Sequence, residues 1–364
     1  MKASYKKGIV LIVVLFSLSF AQSFANDKVK KIVKNYHLSE NTYVEIENKY
    51  GDIEIENWDK DSIRLEIVIS VHSDKDEDLD KMLNNIKIDL TANSSFIIAK
   101  TDWSEEVNAF KKGILKINQE VSSSGKYSVN YKIKMPKDVD LTLTNKFGNI
   151  FMSDYSGKLI INLSYGDLRA HKLSNLKQLS AKYGKVKVTT IPTGRISLSS
   201  VKPFNIDHSQ ELEIESSSSE IIIEEINNLN LKSSHDDISI DKIGVINGIF
   251  SMSDLLIMSL YKSIHSVSKY GSMKIKEVSP SADVVFLEGV KTDMQLKFNK
   301  GFYSKTDIRT SSKEEFTSDS SFIIESTEID SEGLWHAQGY TTKKGNAELT
   351  IKSVNGYVSI TSYE

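Results

Sequence analysis

The residues whose types best suit chemistry are His235-Asp236-Asp237, an imidazole beside two carboxylates. Such a trio can hold a cation or do acid–base work on a sugar. Its setting favours a simpler role. Asp236 falls where neighbouring repeats carry a turn glycine, and Asp tolerates that conformation better than most residues. The trio therefore reads first as turn chemistry, with ligand contact by His235, Asp236 and Asp237 as the second reading. Glu224-Glu225 sits in an alternating stretch, which puts its two carboxylates on opposite faces of a strand. Sugar hydrolysis needs a carboxyl pair at a set separation across a cleft. Ser216-Ser217-Ser218-Ser219 lacks a nucleophile elbow and fits a polar corner. The histidines at 37, 72, 171, 208, 235, 265 and 336 show no His-x-x-x-His spacing. Phosphate-cradling Gly-x-x-x-x-Gly-Lys is absent. With no cysteine in the chain, thiol nucleophiles, thiolate metal sites and iron–sulfur clusters are excluded. No catalytic residue, cofactor or metal site is assigned.

The three tryptophans stand apart from the repeats. Trp58 follows an alternating strand and is expected to pack a cap. Trp103 lies beside Asp102 and Glu105-Glu106 and is expected in a loop, as the aromatic most open to a ligand.

Repeats must position all of these groups. Asn145-Lys146-Phe147-Gly148-Asn149-Ile150, Leu163-Ser164-Tyr165-Gly166-Asp167-Leu168 and Ala181-Lys182-Tyr183-Gly184-Lys185-Val186 place their glycines 18 residues apart. A further 18 reaches Lys202, and degenerate copies follow at Ser219, Asp236 and Ser253, 17 apart. Full copies stand at Tyr50-Gly51 and Tyr270-Gly271. Around Gly166, apolar residues alternate at Leu159, Ile161 and Leu163 and resume at Leu168 with a shifted phase. Alternation marks strands with one buried face. A slip at glycine marks a corner, where a positive φ costs little.

One such unit cannot bury its own apolar face, whereas a stack of them can. The expected fold is all-β: a β-solenoid, parallel β-helix-like, of 17- to 18-residue coils. Its expected turn ladder is Tyr50, Gly51, Phe147, Gly148, Tyr165, Gly166, Tyr183, Gly184, Tyr270 and Gly271. An antiparallel meander with glycine turns and a left-handed hexapeptide helix are the competing readings.

Residues 26–140 form a β-rich N-terminal region or cap. Strands are expected at Thr42–Glu47, Ile53–Ile55, Ile63–Ile69, Ile86–Leu90, Phe96–Lys100, Ile114–Val121 and Tyr127–Met135. One short helix is expected over Asp74–Leu83, where acids in the first turn oppose the helix dipole. Coils fill 141–300. Residues 301–364 close the fold, with a hairpin expected about Asn355-Gly356.

Residues 1–25 read as a secretory signal peptide: Lys2, Lys6 and Lys7, an apolar run from Gly8 to Phe20, then Ser23-Phe24-Ala25. The run is shorter than the ~20 residues of a membrane span. No transmembrane span is expected in the mature chain, and its location is expected to be the periplasm, the cell surface or outside. The whole chain carries −3. Without the three signal lysines it becomes more acidic, with both signs interspersed and no basic face for nucleic acid.

The phrase from Tyr127 through Pro136 into Leu141–Ile150, with Asn48–Ile53 and Asn355-Gly356, resembles the bacterial adhesin families that include the "head GIN" auto-transporter adhesin-like domain. The resemblance implies an exported, repetitive β-solenoid-like protein and carries over no catalytic residue. The expected function is non-enzymatic and adhesin-like, binding or structural at the cell envelope, with an envelope protein or glycan as partner. A β-helix enzyme acting on polysaccharide and a periplasmic stress or scaffold component are the alternatives.

Overall fold

The computed structural model describes residues 26–103 and 126–362. The expected signal segment and the strand expected at Ile114–Val121 lie outside the described residues. Over the described residues the protein is all-β, with one large mixed sheet and a single α-helix, Asp76–Asn84. That helix opens on Asp76, Glu77 and Asp78 and buries Leu79 and Leu83.

Between residues 140 and 298 the pairing is parallel throughout. Ile161 lies beside Leu143 on one side and Leu179 on the other. Further along, Ile206 pairs with Ile223 and Ile223 with Ile240. All six side chains are buried. A parallel partner needs a long crossover. Here the crossover from one strand to its neighbour is the other arm of the same pass of chain. Leu168 thus lies between Ile150 and Val186. Apolar residues at matching positions build one continuous core, and each fully buried Ile or Leu contributes about 1.5–3 kcal/mol.

The antiparallel meander is not formed in this region. The stretches Leu176–Ser217 and Asp237–Val278 each run as 42 residues of unbroken strand. They bend at isolated left-handed residues, among them Tyr183, Ser200 and Met252.

Antiparallel strands gather towards the two ends. Ser62–Ser73 pairs with Asn26–His37 and with Tyr127–Met135. Its burial alternates strictly, with Ile63, Leu65, Ile67 and Ile69 all at 0% exposure. The early pass 43–57 is held between the returning chain at 140–152 and the strands Phe96–Trp103 and Tyr127–Met135.

At the other end, Ala347–Val354 lies parallel between Val284–Phe298 and Ser304–Thr310. Val358–Ser362 lies parallel between Val284–Phe298 and Phe316–Ser318. The hairpin expected about Asn355-Gly356 does not form, since these two strands pair with other chain segments. Asn355 instead takes φ 57°, as a corner of the parallel array.

Candidate functional site

The corners come first, because they place everything else. The sequence expectation put the positive φ on the glycines of the ladder. The left-handed residue is instead the aromatic before each: Tyr50, Phe147, Tyr165, Tyr183 and Tyr270, with φ between 53° and 65°. Of the five ladder glycines only Gly271 also has a positive φ, +130°. The glycines are required by close approach. A β-carbon on Gly148 would stand 1.9 Å from the carbonyl oxygen of Gly51, and one on Gly184 2.0 Å from that of Gly166. Where the corner opens, the same position takes an inward side chain: Val201, Ser219, Asp236, Ser253 and Thr292 are all buried. Val201, not Lys202, continues the row, because the left-handed residue there is Ser200.

Tyr50, Phe147, Tyr165 and Tyr183 stack in sequence, with centroids 5.2, 4.9 and 4.7 Å apart and planes within 20°. Beside them runs a second ladder, built from the residue after each of Gly51, Gly148 and Gly166. Asp52 accepts the Asn149 N–H at 2.7 Å, Asn149 that of Asp167 at 2.9 Å, and Asp167 that of Lys185 at 3.0 Å. These side chains lock register between passes.

Asp236 is a corner hub, and both oxygens of its carboxylate accept hydrogen bonds. It accepts the Ser219 N–H at 2.7 Å, the Ser233 hydroxyl at 2.7 Å and the Ser234 N–H at 3.1 Å. At 2% exposure it is out of reach of a ligand. His235 and Asp237 on either side are exposed. The trio is therefore not one site. Glu224 and Glu225 are both exposed, and Glu225 lies 3.8 Å from His208.

Trp103 corrects another expectation. It ends the strand Phe96–Trp103 and is buried, at 6% exposure. Its ring meets Tyr50 edge-on at 5.1 Å and Tyr127 at 5.3 Å. The indole facing solvent in part is that of Trp58.

Trp58 lies in a groove where the loop 57–61, the turn 136–140 and the outer edges of passes 150–154 and 168–172 converge. Three adjoining hollows share lining residues. Asp61, Pro136 and Asp138 join the first two, and Asn57, Ser153 and His171 join the second to the third. The middle section is an open hollow of ≈ 790 Å³. The Trp58 indole N–H donates to the Ser62 carbonyl at 2.7 Å, and Lys60 lies over the ring at 5.1 Å.

Asn57 donates to the Ser153 hydroxyl at 2.9 Å and the Asp154 carbonyl at 2.7 Å. His171 meets the Asp154 carboxylate at 2.5 Å. Behind the wall, Tyr155 donates to the Val139 carbonyl at 2.6 Å. Burial pushes its phenol well above the ordinary value, helped by Asp140 and Asp138. The lining offers a fixed indole, carboxylates, an amide and an imidazole. Among the described residues no cluster of His, Asp and Glu is arranged to hold a metal.

No family model and no curated protein matches the chain. Solved structures do align with it. A "putative cell adhesion protein" from Clostridium sporogenes is 12% identical, at a TM-score of 0.23 over 92% of this chain and 100% of its own. A "putative adhesin" from Parabacteroides merdae is 13% identical, at 0.33 over 73% and 95%. A "putative lipid binding protein" from Parabacteroides distasonis is 13% identical, at 0.30 over 93% and 97%. The adhesin name that the sequence resemblance carried is borne by the second of these, and the first is named for cell adhesion. Likenesses this distant leave ligand and mechanism to be argued from the chain's own residues.

Proposed function

We propose that the chain is an exported, non-enzymatic, adhesin-like β-solenoid of 17- to 18-residue coils that binds an envelope glycan through the Trp58 groove. In this reading residues 1–25 direct export, 26–140 and 301–364 cap the ends, and 141–300 form the coils. The groove carries the binding assignment. The indole is held by its own N–H and is partly exposed; Lys60 lies over one face, and the other face is the apolar surface offered to the C–H face of a sugar. Carboxylates and the Asn57 amide oxygen beside it accept from sugar hydroxyls, the two Asn57 N–H groups being given to Ser153 and Asp154. Asp59, Asp61, Asp138 and Asp154 outweigh Lys60 and Lys137 along the middle section, which disfavours anionic polymers. The ligand class is a neutral glycan.

The non-enzymatic reading is supported by the occupied carboxylate of Asp236. None of Glu224, Glu225, Asp236 and Asp237 lines the groove. The groove's own carboxylates, Asp59, Asp61, Asp138 and Asp154, keep the polysaccharide-acting enzyme as the second reading.

The test uses residues 26–364 on an array of envelope glycans, with Trp58→Ala beside the parent chain. Retention of neutral glycans, weakened about tenfold by Trp58→Ala at an unchanged melting temperature, is expected. Equal retention by both chains overturns the groove. Release of shortened glycan overturns the non-enzymatic reading.

A further inference from the structure

The row of corner residues has a gap in it. Left-handed residues succeed one another as Tyr50, Phe147, Tyr165, Tyr183, Ser200, Ser218 and His235. The first four carry stacked rings, and the stack then stops. Tyr50 at the inner end is 1% exposed, whereas Tyr183 at the outer end is 49% exposed. Among the described residues Tyr183 has one ring neighbour, Tyr165. On its other side the next two corners bring only Ser200 and Ser218. Passes of a sheet lie about 4.8 Å apart. Three steps from Tyr183 to His235 therefore span about 14 Å. That is room for two further rings at the pitch the stack already uses.

The floor of the gap is rich in hydroxyls. Ser199, Ser200, Ser217 and Ser218 adjoin it, and their hydroxyls make no hydrogen bond within the protein among the described residues. The flanking charges are mixed, with Lys185 and Lys202 followed by Glu220 and Asp237 in the same corner position. No single-sign field selects an ion. A purely aromatic occupant would use the face of Tyr183 and leave the serine hydroxyls without partners. A pyranose uses both, since one face is apolar and its rim carries hydroxyls.

We infer that the open face of Tyr183 and the serines of the next two corners form a second glycan site, separate from the Trp58 groove. One neutral pyranose stacks on Tyr183 as a fifth ring. The sugar linked to it runs over the hydroxyls of Ser200 and Ser218 towards His235. The site is the unfilled continuation of the aromatic ladder, so its geometry is set by corner spacing alone.

The experiment is saturation-transfer NMR on residues 26–364 carrying Trp58→Ala, so that the groove does not contribute. Cellotetraose and chitotetraose are the probes, with p-cresol as an aromatic comparison. Transfer from the tyrosine rings to at least one oligosaccharide is expected. Tyr183→Asn, which keeps a residue tolerant of positive φ, should weaken it about tenfold. Ser200→Tyr should do the same by filling the gap with a protein ring, without lowering the melting temperature. No transfer at about 10 mM oligosaccharide, binding of p-cresol alone, or undiminished binding by either variant overturns the inference.

Discussion

Gly166 and Gly148 meet backbone to backbone: a β-carbon on Gly166 would stand 2.0 Å from the carbonyl oxygen of Gly148. Gly148 stands in the same relation to Gly51, and Gly184 to Gly166. The aromatic residue before each glycine carries the backbone strain, and the glycine permits the contact. Gly166→Ala should therefore destabilise by about 3 kcal/mol, the upper end for forcing extra volume into a packed site. At Gly194 a β-carbon would meet the Leu176 side chain at 3.2 Å, its carbonyl oxygen at 3.4 Å and the Ile191 side chain at 3.5 Å. Gly194→Ala should cost under about 1 kcal/mol. Urea midpoints of the two variants check the contrast.

Asp236 and Asp237 are adjacent carboxylates with opposite fates. Asp236→Ala leaves the N–H groups of Ser219 and Ser234 and the Ser233 hydroxyl without their acceptor. A loss of about 3 kcal/mol is expected. Asp237→Ala, at an exposed position, should stay within about 0.5 kcal/mol of the parent. Equal effects in thermal melts would contradict the hub.

Alkaline stability should depend on Tyr131. Its hydroxyl lies 2.8 Å from Thr101 Oγ1, which itself donates to Asn48 Oδ1 at 3.0 Å. Burial pushes the phenol from 10.0 to about 12. The raised value means that the folded state holds its proton more tightly than the unfolded chain does. This contribution is complete below pH 10 and is lost as pH rises towards about 12. Tyr131→Phe should flatten the fall in stability across that window. Tyr155, also pushed up, keeps some of it in place. Denaturation at stepped pH, followed by tyrosinate absorbance, reads the difference.

The tryptophans should separate by accessibility. Trp103 and Trp335 are 6% and 8% exposed, while Trp58 is only partly buried. Acrylamide should quench Trp58 first. Trp103→Ala should cost about 3–5 kcal/mol as a large buried aromatic, and Trp58→Ala within about 1 kcal/mol. Similar quenching of the parent and Trp58→Ala would count against the open groove.

The strands and the row of passes were legible because their causes are local and repeated. Period-two alternation at Leu159, Ile161 and Leu163 marks a buried face, and an aromatic-Gly pair recurs at the corners of Tyr50, Phe147, Tyr165, Tyr183 and Tyr270. The assignment within the phrase was not legible. Glycine is the usual left-handed residue, and only the contact of Gly166 with Gly148 shows that it serves another purpose. Asn355-Gly356 is a strong local hairpin signal, yet parallel pairing with Val284–Phe298 and Ser304–Thr310 overrides it. The acidic neighbours of Trp103 suggested a loop, while Tyr50 and Tyr127, distant in sequence, bury it. Lys202 missed the row by one because the corner at Ser200 comes 17 residues after Tyr183, while Phe204 comes 18 after Val186. The middle section of the Trp58 groove alone draws on four separate segments, and no single stretch of sequence carries its pattern.

The placement of 347–362 between 284–298 and 304–318 has a consequence for how the molecule is made. A ribosome produces the outer strand before the inner one. Until Ala347 and the residues after it emerge, 284–298 and 304–318 each present a bare row of amides and carbonyls with nothing between them. The late segment acts as a keystone, satisfying both rows in one step. A chain released before it is finished would carry two sticky edges, so proofreading by chaperones or proteases has a physical mark to recognise.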